Sequence, residues 1–158
     1  MAAGSTKPTV RMTEAEAWDF VEHAHTGIVT TLRRDGRPVA LPVWFVVLDG
    51  RIYVRTRGRK VERARHDSRC SFLVEDGERW AALRAVHVGC RVEVIDPSPE
   101  LAERILTAIG DKYRAYQTPE REMPAATRDH YRQNLGAILE LVPEGKLLTW
   151  DNGKLGLE

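Results

Sequence analysis

Charge of one sign is what this sequence most lacks. Lys and Arg number 24 against 23 Asp and Glu, a formal net charge of +1 over 158 residues. A chain that coats nucleic acid or an anionic membrane carries a clear basic excess, so any anion-binding function here must be local. Long hydrophobic runs are missing too. No stretch approaches the ~20 apolar residues of a membrane-spanning helix, and the opening MAAGSTKPTVRM has no apolar signal-like core. Together these absences predict a cytoplasmic protein with neither nucleic acid nor membrane as a partner. Cysteine is scarce: Cys70 and Cys90 stand in apolar stretches without metal-ligand spacing and read as small buried hydrophobes. The five histidines, at 23, 25, 66, 87 and 130, are scattered, so no metal centre is expected. No serine sits in a G-x-S-x-G context, which removes the nucleophile elbow of a hydrolase. No repeat or low-complexity tract divides the chain, and its length suits one domain.

What is there is a succession of short strands with helices at intervals. Residues 1–12 are expected to be a flexible N-terminal segment and residues 13–158 a single domain. Thr13 and Glu16 form a capping box that opens a helix ending near His25 and Gly27. Residues 27–33 are β-branched and lead to Asp35-Gly36, a two-residue hairpin signal. The apolar run 38–48 (PVALPVWFVVL) reads as one return strand, closed by Asp49-Gly50. Residues 51–56 alternate as a third strand. Residues 59–66 form a short polar helix, 70–75 a fourth strand, and Asp76-Gly77 a third tight turn. Residues 80–95 are long enough for one strand bent at Gly89. Ser98 and Pro99 open a helix with Leu101, Ala102, Ile105, Leu106 and Ile109 in period. Residues 111–133 hold two short helical pieces around Pro119 and Pro124. Strands at 137–142 and 146–150, joined by a turn at Pro143-Glu144-Gly145, end the chain. This pattern predicts a mainly β fold, an antiparallel β-barrel with flanking helices. So small a barrel has little interior, so a large ligand would bind outside it or between two copies.

The chemistry-bearing stretch is 51–69, RIYVRTRGRKVERARHDSR. The chain leaves a strand at Thr56, passes Arg57 and Gly58, and enters a helix with Arg59-Lys60. Such an entry offers free amide donors and a favourable dipole to an anion. A hydroxyl at Thr56, a fork at Arg59 and a point charge at Lys60 complete a phosphate grip. A solvated basic helix face is the plainer reading of the same residues. A nucleic-acid surface would want stacking aromatics among the charges, and only Tyr53 lies in the run.

The order PVWFV-x-x-DGRIYV-x-T, then G-R-K on a helix, then HDSRCSFLVED resembles the pyridoxamine 5'-phosphate oxidase-like split-barrel family over residues 27–95. The resemblance implies an FMN-binding-like antiparallel split barrel. It implies a homodimer that binds FMN, or the deazaflavin coenzyme F-420, in a groove at the subunit interface. The phosphate contacts would be Thr56, Arg59 and Lys60, with Arg57 in the same turn. Pro42, Val43 and Trp44 would lie along the flavin-type ring, and Trp150 would cover the cofactor from the other subunit. The short turn and PVWF strand are closer to the deazaflavin branch than to the biosynthetic oxidase. That enzyme's substrate-phosphate signature is not evident in LLTWDNGKLGL. The resemblance therefore implies an oxidoreductase passing hydride to a small organic substrate. In such enzymes the cofactor supplies the reactivity, and no protein-borne nucleophile is required. The alternative of the same fold is a non-catalytic protein that sequesters a flavin or haem; no histidine stands out as an axial ligand.

Overall fold

The computed structural model describes residues 9–134 and 136–156. Of the expected flexible segment, residues 1–8 lie outside the described residues, as do 157–158 at the end of the domain. Residues 9–12 run beside the last strand: the Val10 carbonyl accepts from the Asp151 N–H at 2.7 Å.

The first helix, α1 (Glu14–His23), carries the expected capping box: Thr13 Oγ1 accepts from the Glu16 N–H, and the Glu16 carboxylate accepts from the Thr13 N–H. Eight strands then form one sheet: β1 (Gly27–Leu32), β2 (Pro38–Val43), β3 (Val46–Leu48), β4 (Arg51–Thr56), β5 (Arg69–Asp76), β6 (Arg84–Ile95), β7 (Ala137–Pro143) and β8 (Leu148–Asp151). The order is β2-β1-β5-β6-β7-β4-β3, with β8 on β6, and every pairing is antiparallel. The helices α2 (Arg59–His66), α3 (Pro99–Tyr113) and α4 (Ala125–Gln133) flank it. The architecture is the mainly β, antiparallel split barrel expected from the sequence.

The split has a clear origin. The two outermost strands, β2 and β3, are consecutive in the chain, so the sheet curls until its edges lie two residues of backbone apart. Period-two alternation sends Val29, Phe72, Val74, Val86, Val88, Val92, Ile52, Val54, Leu139 and Leu141 into one core. Phe45, at the seam, meets Phe72 edge-to-face with centroids 4.7 Å apart. A smaller apolar cluster forms where Ile105 of α3 packs on Val46 and Tyr53. Leu106, read into the α3 stripe from the sequence, is exposed.

Several sequence expectations change. The run 38–48 is two strands, because at Trp44-Phe45 the backbone turns from β1 to β4, and the Phe45 N–H and C=O are satisfied by a tyrosine hydroxyl instead of a ladder. Asp49-Gly50 is the two-residue turn expected, with φ of +52° and +72°. Asp35-Gly36 is not: Arg33 and Arg37 close a longer loop, their N–H and C=O 2.9 Å apart. Nor is Asp76-Gly77 tight. Residues 80–82 make a 3₁₀ turn, and Asn152 donates to the Trp80 and Leu83 carbonyls at either end of it, so β6 starts only at Arg84. The strand β6 shows no bulge; its pairing with β5 is continuous from Arg84 to Arg91. Gly89 instead marks where its other edge changes partner, from β8 at residues 84–87 to β7 at 90–95. Accordingly β8 does not fold back on β7 but continues along β6.

Candidate functional site

The basic turn forms as local chemistry dictates. β4 delivers Thr56, and Gly58 reverses the chain with φ +67° and ψ −141°, a conformation that favours glycine. Gly58 is the N-cap of α2 and supplies no side-chain hydrogen bond. Its carbonyl accepts from the Val61 N–H at 3.0 Å, fixing the helix start, while Val61 and Ala64 bury one face of α2 against the barrel. Arg59 and Lys60 thereby occupy the first turn of a helix whose amides carry a partial positive charge. Arg59 is exposed; Lys60 is half-buried. Lys60 shares a cleft of about 10 Å³ with Val43 and with Arg63, whose Nε donates to Thr31 Oγ1 at 3.0 Å. That cleft is too narrow for a ligand, so whatever the cations hold lies outside the barrel.

Arg57 is the informative member. Its guanidinium carbon lies 4.2 Å from the centroid of the Tyr131 ring of α4, and its Nη1 is buried with no hydrogen-bond partner. Buried polar groups are nearly always paired, and an unpaired cationic donor is costlier still. A charge-assisted hydrogen bond from Nη1 to an anion would relieve it. The residues present therefore fit a phosphate-bearing cofactor: an orphaned guanidinium, two further cations and helix-terminal amides within one turn.

The ring-side residues are placed less uniformly. Val43 faces the Lys60 cleft from inside the barrel. Pro42, one residue earlier, faces outward into a groove of about 490 Å³ with Phe20, His25, Ile28, Leu73 and Arg84. Trp44 lies at the seam, its indole stacked on the buried Tyr113 ring with centroids 4.4 Å apart and planes 5° from parallel. His25 borders both regions: it lines the groove and meets Tyr116 edge-on at 4.4 Å. Trp150 is elsewhere. It pairs with Ala85 on β6, and three strands separate β8 from β2 along the sheet.

Sequence reasoning missed His25, Tyr113, Tyr116 and Tyr131. Tyr113 ends α3 and Tyr116 closes the 3₁₀ turn 114–116 after it, three residues on, but nothing local connects them to Trp44. Among the other titratable groups, burial brings the Lys112 ammonium down to about 8; its Nζ lies 3.8 Å from the Phe45 ring centroid. The Glu140 carboxylate is closed by Tyr53 Oη at 2.8 Å and Arg51 Nη1 at 3.0 Å, a self-contained structural network. Cys70 and Cys90 are free thiols at paired positions of β5 and β6, and the neighbouring Cys90 thiol and burial push the Cys70 thiol up. Among the described residues no cluster of His, Cys, Asp or Glu can hold a metal ion, and no helix is long and apolar enough to cross a membrane.

Comparison with known proteins agrees with the split-barrel fold. The family described as Pyridoxamine 5'-phosphate oxidase matches residues 13–140. A crystal structure of a conserved hypothetical protein from Mycobacterium tuberculosis is similar at 31% identity, with a TM-score of 0.77, covering 96% of this chain and 92% of the other. An FAD-binding protein from Mesorhizobium loti shares the fold at 14% identity and a TM-score of 0.66, over 87% of this chain and 94% of its own. An F420 reductase shares it at 23% identity and a TM-score of 0.57, over 82% and 94%. No curated protein matches.

Proposed function

The chain belongs to the pyridoxamine 5'-phosphate oxidase family, and from that premise we propose that it is an oxidoreductase that binds a flavin-type cofactor, coenzyme F-420 or FMN, through the phosphate-binding turn Thr56, Arg57, Arg59 and Lys60. The observation that carries this reading is the buried, unpartnered Nη1 of Arg57. A structure keeps such a group only where something offsets its desolvation, and a phosphate does so with charge-assisted hydrogen bonds. When bound, the flavin or deazaflavin supplies hydride chemistry. The chain's part is to fix the phosphate at α2 and to bring the ring toward Pro42, Val43 and Trp44. A small organic substrate then has the groove beside Pro42 and His25.

The working unit in this reading is a homodimer. The Lys60 cleft cannot enclose a cofactor, so a second surface must cover it. The outer face of β8 offers one: Leu148 is 64% exposed and Trp150 43%, and Trp80, in the 3₁₀ turn before β6, is 64% exposed. Exposed apolar side chains in such a cluster mark interaction sites, and Trp150 would reach the partner's cofactor. Neither nucleic acid nor a membrane enters this reading, and the site of action is the cytoplasm.

Titration of the purified protein with FMN and with coenzyme F-420, followed by fluorescence, tests the proposal. One of them binds, and Lys60→Ala weakens it at least about tenfold by removing one charge-assisted contact of roughly 1.5–3 kcal/mol. Absence of binding to either at concentrations far above micromolar overturns it. Turnover of the pre-reduced cofactor with enones, quinones and nitroaromatics then separates an enzyme from a protein that only stores the cofactor.

A further inference from the structure

The seam between β2 and β3 holds an arrangement that the basic turn does not explain. Trp44 and Phe45 belong to neither strand, so no ladder fixes their backbone. A single hydroxyl takes over that task. Tyr113 Oη accepts from the Phe45 N–H at 2.9 Å, lies 3.0 Å from the Phe45 carbonyl and 2.8 Å from the His25 carbonyl, and donates its one proton to these acceptors. Thus the end of α3 ties the seam to the segment between α1 and β1, in places 68 and 88 residues away.

The ring of Tyr113 does a second thing. It is fully buried and lies flat against the Trp44 indole, 4.4 Å away at 5°. One indole face is thereby occupied. Trp44 nevertheless keeps 39% of its surface exposed. Parallel stacking closes one face against Tyr113, so the exposed surface belongs to the opposite face and the ring edge, backed by a buried ring. His25 flanks the pair, its ring edge-on to both Trp44 at 6.1 Å and Tyr113 at 5.4 Å.

We propose that Tyr113 is the positioning residue that preforms Trp44 as a flat platform for a planar ring ligand, its hydroxyl setting the backbone and its ring setting the indole plane. In the cofactor assignment, and resting on it, that ligand is the flavin-type ring. Tyr113 itself touches no ligand; it acts through Trp44. Specificity for a flat aromatic ligand is thus built by the end of α3, remote in sequence from the phosphate turn.

Two measurements test this. The first needs no cofactor. The difference in emission between the native chain and Trp44→Phe isolates Trp44 from Trp18, Trp80 and Trp150, and the same difference is taken in Tyr113→Phe and Tyr113→Leu backgrounds. Acrylamide quenching of Trp44 rises from native to Phe to Leu, severalfold at the last step. Unchanged quenching in a folded Tyr113→Leu chain overturns the proposal. Should that variant fail to fold, Tyr113→Phe decides: loss of the hydroxyl alone must shift Trp44 emission, and no shift overturns it. The second measurement is a double-mutant cycle on affinity for whichever of FMN and coenzyme F-420 binds. Tyr113→Leu weakens binding about tenfold in the native chain and has little further effect in Trp44→Ala. Full additivity would make Tyr113 merely structural and defeat the proposal. Failure of both cofactors to bind defeats the cofactor assignment, while the quenching experiment still decides the role of Tyr113.

Discussion

Replacing Arg57 with methionine sets stability against binding. Arg57 Nη1 is buried and unpaired among the described residues, and its guanidinium packs on the Tyr131 ring at 4.2 Å. An unsatisfied buried donor costs about 1–3 kcal/mol. A cation–π contact with a half-exposed ring returns about 0.5–1 kcal/mol. Methionine keeps the unbranched stem and its packing but has no donor to satisfy. The Arg57→Met chain is therefore more stable than the native one, by about 0.5–2 kcal/mol. For a chain of 158 residues that raises Tm by several degrees, at about 2–4 °C per kcal/mol. Cofactor affinity moves the other way. Losing a charge-assisted hydrogen bond of roughly 1.5–3 kcal/mol weakens binding at least about tenfold. Thermal unfolding without ligand and a cofactor titration on the same preparation read both effects. A variant that unfolds at a lower temperature and binds as tightly as the native chain refutes the reasoning, because Arg57 would then be a structural residue.

Gly27→Ala places a Cβ 2.1 Å from Cζ of the fully buried Phe72 ring, so overpacking lowers stability by about 1–3 kcal/mol in urea unfolding. Burial lowers the Lys112 ammonium from 10.5 to about 8 in the folded state. The unfolded chain therefore holds that proton more tightly, and stability rises as pH climbs from about 8 to 10.5. Lys112→Met removes this rise; partial exposure keeps it below about 2 kcal/mol, and unfolding curves across that pH range measure it. Leu148→Asp puts a charge on the exposed apolar face of β8, and sedimentation should show the dimer dissociating. A native monomer at micromolar concentration would remove the interface from the account.

How much of this could be read in advance depended on whether the determinant was local. The starts of α1 and α3 are announced by Thr13 with Glu16 and by Ser98 with Pro99, because an N-cap is satisfied within three residues. The helix α2 and the turn before it were legible for the same reason. The break at Trp44-Phe45 was not, since the group that satisfies the Phe45 backbone is Tyr113, far along the chain at the end of α3. The placement of β8 is similar. A strand after Pro143-Glu144-Gly145 was visible, but its partner depended on where β6 exchanges neighbours at Gly89. At the candidate site, the charge pattern identified the cations in the turn; only packing shows that Arg57 is the unsatisfied one, because Tyr131 covers it from α4.

The central claim is that the turn from Thr56 to Lys60 grips a cofactor by its phosphate. Comparing FMN with riboflavin, or coenzyme F-420 with its phosphate-free ring alcohol, isolates that grip, since only the phosphate differs in the first pair. With two or more charge-assisted contacts of roughly 1.5–3 kcal/mol each, the phosphorylated form binds at least about a hundredfold tighter. Equal affinity for FMN and riboflavin, in a protein that binds both, would contradict the account.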